Sequence, residues 1–148
     1  MLRMSKLTDY SILILAFLAN GGSRFHSASD VAENTGLALP TVSKLLKALT
    51  RARLVRSHRG SHGGYTLAHS AEEITAADVV DALEGPLAIT ECSSNDSHCE
   101  LQPVCKVGGA LQQLNQGIHT VLENITLAQL TAVPEVPLQR MDPVSLEK

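Results

Sequence analysis

Apolar positions recur with helical spacing along the first part of the chain. Residues 7–19 are apolar on nearly every face, which predicts a buried first helix that Asn-Gly-Gly at 20–22 brings to an end. Either Ser27 or Ser29 is suited to cap a short second helix, which ends at Gly36. The opening of the chain is therefore predicted to be two helices joined by a tight turn.

A third helix is predicted to begin at Pro40, because the first helical position needs no N–H donor. Its apolar residues fall at i, i+3, i+4 and i+7 and form one stripe: Val42, Leu45, Leu46 and Leu49. With the small Ala32 and the turn at Gly36, this is the layout of a helix-turn-helix, and an ordinary amphipathic helix pair is the alternative. The candidates for contact with DNA on its other faces are Thr41, Ser43, Lys44 and Lys47.

Two short strand-like runs, 54–57 and 65–67, flank a basic glycine-rich tip at 58–64. They predict a β-wing whose tip residue, Arg59, contacts DNA. A phosphate-binding loop of an enzyme is the alternative, but no helix begins after the glycines and no Gly-Lys-Ser/Thr follows. Nearby basic residues are expected to contact phosphates: Lys6, Arg51 and Arg56.

The second half of the chain predicts a helix at 76–84 capped by Thr75, and then a long amphipathic helix. The long helix carries a heptad seam of Val107, Leu111, Leu114, Ile118, Val121 and Ile125. Such a seam most simply pairs with its copy in a homodimer, and packing on its own domain is the alternative. A short helix at 125–130 follows, and three prolines with scattered charges after 133 predict a disordered tail.

Composition and charge separate the two halves of the chain. From residue 1 to 67 there are nine Lys/Arg and three Asp/Glu, whereas from 68 to 148 there are three Lys/Arg and twelve Asp/Glu. The basic half is typical of a surface that binds phosphates. No apolar run is long enough to span a membrane and no signal peptide is evident, so a cytoplasmic protein is expected. No catalytic constellation and no small-molecule cofactor motif can be assigned, so no enzyme and no small-molecule substrate are predicted.

All three cysteines, Cys92, Cys99 and Cys105, lie in one short polar stretch with the spacing C-x6-C-x5-C. An odd number of thiols in a reducing compartment favours a soft metal centre over disulfides. Three interpretations follow from the residues: an iron–sulfur cluster, a zinc site completed by His98, or a thiol redox sensor. Zinc sites more often show closely paired cysteines, which are absent from this sequence.

The predicted fold is mainly α with a small β-wing, divided into a winged helix-turn-helix (1–85), a cysteine loop (86–106), a dimerisation region (107–133) and a tail (134–148). This order resembles the IscR/NsrR, or Rrf2, family of iron–sulfur transcription regulators. Its most specific matches are Met-Leu-Arg-Met-Ser-Lys-Leu-Thr-Asp-Tyr at the start, Arg-Gly-Ser-His-Gly-Gly-Tyr in the wing and Asn-Ile-Thr-Leu-Ala-Gln-Leu at 124–130. The opening looks most like regulators of SUF cluster-assembly operons in proteobacteria.

The resemblance implies a homodimer that binds promoter DNA under the control of an iron–sulfur cluster ligated by the three cysteines. IscR-like members place a histidine three residues after the last cysteine, where this chain has Gly108. NsrR-like members use an aspartate near the N-terminus of the other subunit, which matches Asp9, and His98 is a second candidate. The family pattern favours [4Fe–4S], with [2Fe–2S] also open. Control by nitric oxide or redox state, rather than by cluster demand, also stays open at this point.

Overall fold

Six helices and one antiparallel hairpin make up the part of the chain that the computed structural model describes, residues 4–90, 93, 99–100 and 104–132. In chain order they are α1 (Lys6–Asn20), α2 (Ala28–Thr35), α3 (Leu39–Arg51), β1 (Val55–His58), β2 (Gly64–Leu67), α4 (Ala76–Glu84), α5 (Gly108–Glu123) and α6 (Leu127–Thr131). The predicted class, mainly helical with a small two-stranded wing, is confirmed. The predicted tail at 134–148 lies outside the described residues.

Short polar motifs determine where several helices begin. Ser27 and Asp30 form a reciprocal capping box at α2, so Ser27 rather than Ser29 is the cap. Thr75 and Asp78 do the same at α4, which begins and ends where the sequence predicted. Each box satisfies backbone N–H groups that the first helical turn leaves without partners. The N-termini of these two helices therefore depend on residues only three positions apart in the sequence.

The core of the described domain forms around α1, which contacts α2, α3, α4, α6 and strand β2. Its buried residues are Ile14, Leu15, Leu18, Val31, Val42, Leu45, Leu46, Leu49, Leu54, Val55, Ile74, Val79 and Leu127. Leu7 and Leu13 of α1 are 37 and 43% exposed, so the first helix is not buried on nearly every face as predicted. The stripe on α3 is wholly buried, as its spacing predicted. Burial of that stripe leaves the polar side of α3 toward solvent.

The wing is a hairpin in which Val55 pairs with Leu67 and His58 with Gly64. A third backbone segment joins strand β2 on the side of the tip, because Tyr65 and His26 exchange two N–H to C=O hydrogen bonds of 2.8 and 2.9 Å. Gly64 has φ of +151°, and a Cβ there would lie 2.5 Å from the His26 carbonyl oxygen. This close approach requires glycine at position 64.

The heptad seam of α5 divides between two environments. Val107, Leu114 and Val121 are 58, 54 and 59% exposed, whereas Leu111, Ile118 and Ile125 are half-buried. Because α5 contacts α4, part of the seam lies against its own domain and part is left uncovered in the monomer. Among the described residues, no helix has the length and hydropathy needed to cross a membrane.

Candidate DNA interface and metal-binding segment

The polar side of α3 carries the residues predicted to contact DNA. Lys44, Lys47 and Arg51 are exposed and follow one another at spacings of three and four, so they lie on one side of the helix. Thr41 and Ser43, in the N-terminal part of the helix, are half-buried. Three cations next to two hydroxyls provide donors for both phosphate oxygens and base edges.

No acidic residue interrupts the basic part of the chain that contains α3 and the wing. From residue 34 to 71 the chain contains six Lys/Arg and no Asp or Glu. Within the described part of the chain, the ion pairs involve only His119, with Asp81 and Glu123, and no lysine or arginine. An uncompensated cluster of this kind attracts polyanions and supports electrostatic steering toward DNA.

The wing and its surroundings hold the remaining predicted contacts. Arg59 is exposed at the tip, where a Cβ on Gly63 would meet the carbonyl oxygen of His58 at 2.3 Å. Arg56 lies lower on β1 and lines a shallow cavity of about 450 Å³ between the end of α1, strand β2 and the turn at 68–73. Lys6 is exposed at the first position of α1. The cations therefore lie on α3, on the wing and at the start of α1.

Arg53 is a basic residue of this region that the sequence interpretation missed. It has φ of +62°, the only positive φ among the non-glycine residues of the described chain. It follows α3 in a Schellman turn, in which Leu54 N–H donates to Leu49 C=O at 3.0 Å and Arg53 N–H to Thr50 C=O at 3.1 Å. Glycine usually occupies this place, so the arginine carries a conformational cost.

Two of the three cysteines fall among the described residues. Cys99 and Cys105 are both free thiols and both half-buried. Cys92 and His98, the other predicted ligands of the segment, lie outside the described residues. Over the described ranges no group of three or more metal-type side chains comes together. The described donors are compatible with thiolate ligation, since neither is consumed by a disulfide.

Gly108 lies directly beside the last cysteine. A Cβ built on Gly108 would be 3.7 Å from the sulfur of Cys105, which is ordinary van der Waals contact. A longer side chain at this position would therefore have access to a metal bound by Cys105, but glycine offers no donor. In the IscR-like pattern a histidine occupies this position, so its side chain would lie next to the sulfur of Cys105, whereas Gly108 leaves that place without a ligand.

The start of α1 is joined to the end of α4 by Glu84. Its carboxylate accepts hydrogen bonds from the Ser5 backbone N–H, at 2.9 Å, and from the Thr8 hydroxyl. The Thr8 hydroxyl and then the Ser5 N–H hold the pKa of Glu84 below its ordinary range. Asp9, next to Thr8, is exposed in the first turn of α1. The carboxylate of Asp9 is therefore free of burial within the subunit and accessible to a second one.

Comparison with known proteins agrees with this arrangement. Residues 4–133 match the model of the Rrf2 family, described as iron-dependent transcriptional regulators. Protein aau3 of Rhizobium meliloti (strain 1021) is 32% identical over 137 residues, which cover 91% of this chain and 89% of that protein.

Two solved structures share the architecture at similar identity. CymR (YrzC), the global cysteine regulator of B. subtilis, superposes with a TM-score of 0.68 at 28% identity, over 88% of this chain and 97% of that one. IscR of T. potens superposes with a TM-score of 0.65 at 29% identity, over 87 and 85%. The family match spans all of the described residues, and with the winged helix it identifies the protein: this chain belongs to the Rrf2 family of DNA-binding transcriptional regulators.

Proposed function

We propose that this protein is a homodimeric regulator whose affinity for promoter DNA is set by an iron–sulfur cluster. Cys92, Cys99 and Cys105 would supply the thiolate ligands, and Asp9 of the partner subunit the fourth. The observation that carries the proposal is that Cys99 and Cys105 are both free thiols on the segment leading into α5, with Cys105 beside the donor-free Gly108. The description of the matching family as iron-dependent supports it further.

The choice between iron–sulfur and sulfur-compound sensing depends on the cysteines. CymR is described as a cysteine regulator, and IscR is an equally similar structure, so the shared fold does not separate the two. Three cysteines within one short segment are a donor set for a soft metal, and such a set has no evident use in binding a small metabolite. The three cysteines therefore favour an iron–sulfur cluster over a bound small metabolite, with [4Fe–4S] preferred and [2Fe–2S] as the alternative.

The exposed part of the α5 seam supports the dimer. Val107, Leu114 and Val121 recur every seven residues and stay largely uncovered in the monomer. A second copy of α5 is the simplest cover for such a stripe, and it would bring two α3 helices to one palindromic site. Reading two half-sites about one DNA turn, roughly 34 Å, apart requires a fixed spacing of these helices.

Coupling between the cluster and DNA would pass through the start of α1. Asp9 follows Thr8, and Thr8 is hydrogen-bonded to Glu84 at the point where the chain leaves α4 for the cysteine segment. The three cysteines and Asp9 of the partner subunit would hold the cluster, and a bound cluster would thereby join this segment to the partner's α1. Release of Asp9 would free α1 to shift against α3, which it contacts directly, and would change the spacing of the two reading helices.

The decisive experiment is anaerobic purification followed by absorption spectroscopy and assays of iron and acid-labile sulfide. We expect a coloured protein with iron and sulfide in equal amounts, and a different DNA affinity after cluster removal by a chelator. The DNA probe is a library of fragments from the protein's own genome, from which we expect promoters of SUF-type cluster-assembly genes to be enriched. A colourless protein with stoichiometric zinc would instead support the zinc-stabilised alternative and end the cluster proposal.

A further inference from the structure

The side chain of Asn115, in the middle of α5, binds the backbone of the segment that follows α4. Its Oδ1 accepts a hydrogen bond from the N–H of Ile89 at 3.1 Å. Its Nδ2 donates to the carbonyl oxygen of Leu87, also at 3.1 Å. Both bonds are partly buried and connect residues 26 and 28 positions apart. One amide therefore ties residues 87–89 to α5.

The geometry of this contact is specific to asparagine. In a parallel sheet, the N–H and C=O of one residue bond to a C=O and an N–H that lie two residues apart on the neighbouring strand. The side-chain amide of Asn115 bonds to the C=O of Leu87 and the N–H of Ile89 in the same way. Aspartate has the same shape but no donor, and leucine has neither donor nor acceptor. Asparagine is also less favourable than alanine within a helix, so its presence in α5 is not explained by helix formation.

The position of the contact in the chain links it to the cysteines. Ile89 precedes Cys92 by three residues, and Cys105 precedes Gly108, the first residue of α5, by three. The cysteine segment is therefore held by α5 at both ends, by the Asn115 amide at one end and by the peptide chain at the other. Tethering both ends lowers the conformational entropy that the segment loses when its thiolates converge on one centre.

We propose that Asn115 is a positioning residue for the metal centre, which slows loss of the cofactor by anchoring the chain that leads to Cys92. This inference rests on the proposed iron–sulfur function. The contact acts through the backbone of residues 87–89, so it requires no direct approach of Asn115 to the cluster. Its loss would loosen one end of the segment without removing a ligand.

The test compares Asn115→Asp and Asn115→Ala with the parent, and uses Gln116→Ala, at an exposed neighbouring position on α5, as the matched control. The full-length protein is reconstituted with iron and sulfide under anaerobic conditions. The rate at which its visible absorbance decays in excess chelator is then measured. Asn115→Ala removes both hydrogen bonds, whereas Asn115→Asp keeps the acceptor for the Ile89 N–H and places a carboxylate oxygen against the Leu87 carbonyl oxygen. The decay is expected to be about tenfold faster in both variants, with no change in the control.

Two further measurements separate positioning from folding. Hydrogen exchange of the apo protein should be faster at residues 87–90 in Asn115→Ala, which no longer accepts the Ile89 N–H. Far-ultraviolet circular dichroism should show intact helices in both Asn115 variants. Asn115→Ala keeps a good helix-forming residue, so it serves if the aspartate variant does not fold. The visible circular dichroism of the bound cluster should also change, which a change in global stability alone would not produce.

The outcomes are distinct. A parent that holds a cluster and loses it at the same rate as both Asn115 variants overturns the positioning role and leaves the proposed function standing. A parent that takes up no cluster overturns both. Faster loss in the Asn115 variants, with the Gln116→Ala protein unchanged, supports both.

Discussion

Glu84, the last residue of α4, accepts the hydroxyl hydrogen of Thr8 in the first turn of α1. The same carboxylate accepts the backbone N–H of Ser5, the N-cap residue of α1. A side chain 79 positions away in sequence therefore completes the cap of the first helix. Because the chain turns toward the cysteines at Gly85, the contact joins the start of α1, which carries Asp9, to the segment that leads to the cysteines of the same subunit.

Replacement of this carboxylate should lower stability in a pH-dependent manner. Glu84→Gln is expected to reduce the free energy of unfolding at pH 7 by about 0.5 to 1 kcal/mol. This is below the roughly 1.5 to 3 kcal/mol typical of a hydrogen bond to a charged group, because this carboxylate is exposed. The folded pKa of Glu84 is lowered, so its contribution is present above the unfolded pKa, about 4.3, and disappears as the pH falls through the folded value.

Urea unfolding at pH 7 and at about pH 3 measures this difference. The gap between Glu84→Gln and the parent should narrow at the lower pH, while Glu72→Gln, at an exposed position, should match the parent at both. A gap that stays constant across the two pH values would contradict the assigned role of the charge.

Replacement of Arg53 should raise the stability of the protein, in contrast to replacement of Glu84. Arg53→Gly should raise the free energy of unfolding by about 0.5 to 1 kcal/mol, because relief of the left-handed conformation outweighs the added freedom of the unfolded chain. Arg51→Gly, at the last residue of α3 and in ordinary helical conformation, should instead lower stability by about 0.5 kcal/mol and serves as the control. Equal losses from both glycine substitutions would show that the turn carries no strain.

Two glycines should respond oppositely to alanine. Gly64→Ala places a Cβ 2.5 Å from the His26 carbonyl oxygen at a φ of +151°, so a loss of about 2 kcal/mol is expected. Gly109→Ala meets open space within α5 and should gain about 0.5 kcal/mol. Thermal unfolding at one fixed protein concentration measures both changes, because a dimer's stability depends on concentration. A Gly64→Ala protein with the thermal stability of the parent would contradict the close approach of the His26 backbone to strand β2.

Salt titrations of DNA binding should distinguish residues that contact phosphates from residues that contact bases. Arg51→Ala is expected to weaken binding to all duplexes alike and to flatten the plot of log affinity against log salt by about 0.9. Lys44→Ala, closer to the N-terminal half of α3, should instead reduce discrimination between promoter and random DNA. Fluorescence anisotropy with both duplexes at four salt concentrations measures the two quantities. If log affinity falls with log salt as steeply in Arg51→Ala as in the parent, Arg51 does not contact a phosphate.

The fourth ligand can be tested by loss and by replacement. Asp9→Ala should release the cluster to a chelator at least about tenfold faster than the parent, since one of four ligands is lost. Adding Gly108→His should restore retention, because its Cβ lies 3.7 Å from the Cys105 sulfur. Glu33→Ala, at an exposed position of α2, is the control. Parental retention in Asp9→Ala would exclude Asp9, and His98→Ala would then be the next variant to examine.

The sequence by itself determined the local elements of this protein. Thr75 and Asp78 mark the start of α4, and the spacing of Val42, Leu45, Leu46 and Leu49 predicted which side of α3 is buried. Capping and helical periodicity act over a few residues, so they can be interpreted without a fold. The family resemblance extended this to the architecture, and the match over residues 4–133 confirmed it at the level of the family.

Tertiary structure decided everything that joins distant segments. The cap of α1 by Glu84, the binding of residues 87–89 by Asn115 and the pairing of His26 with Tyr65 connect residues 26 to 79 positions apart. The seam of α5 likewise split into a covered half and an uncovered half only when α4 was in place. Periodicity states which residues share a face, but what covers that face depends on how the chain folds back in three dimensions.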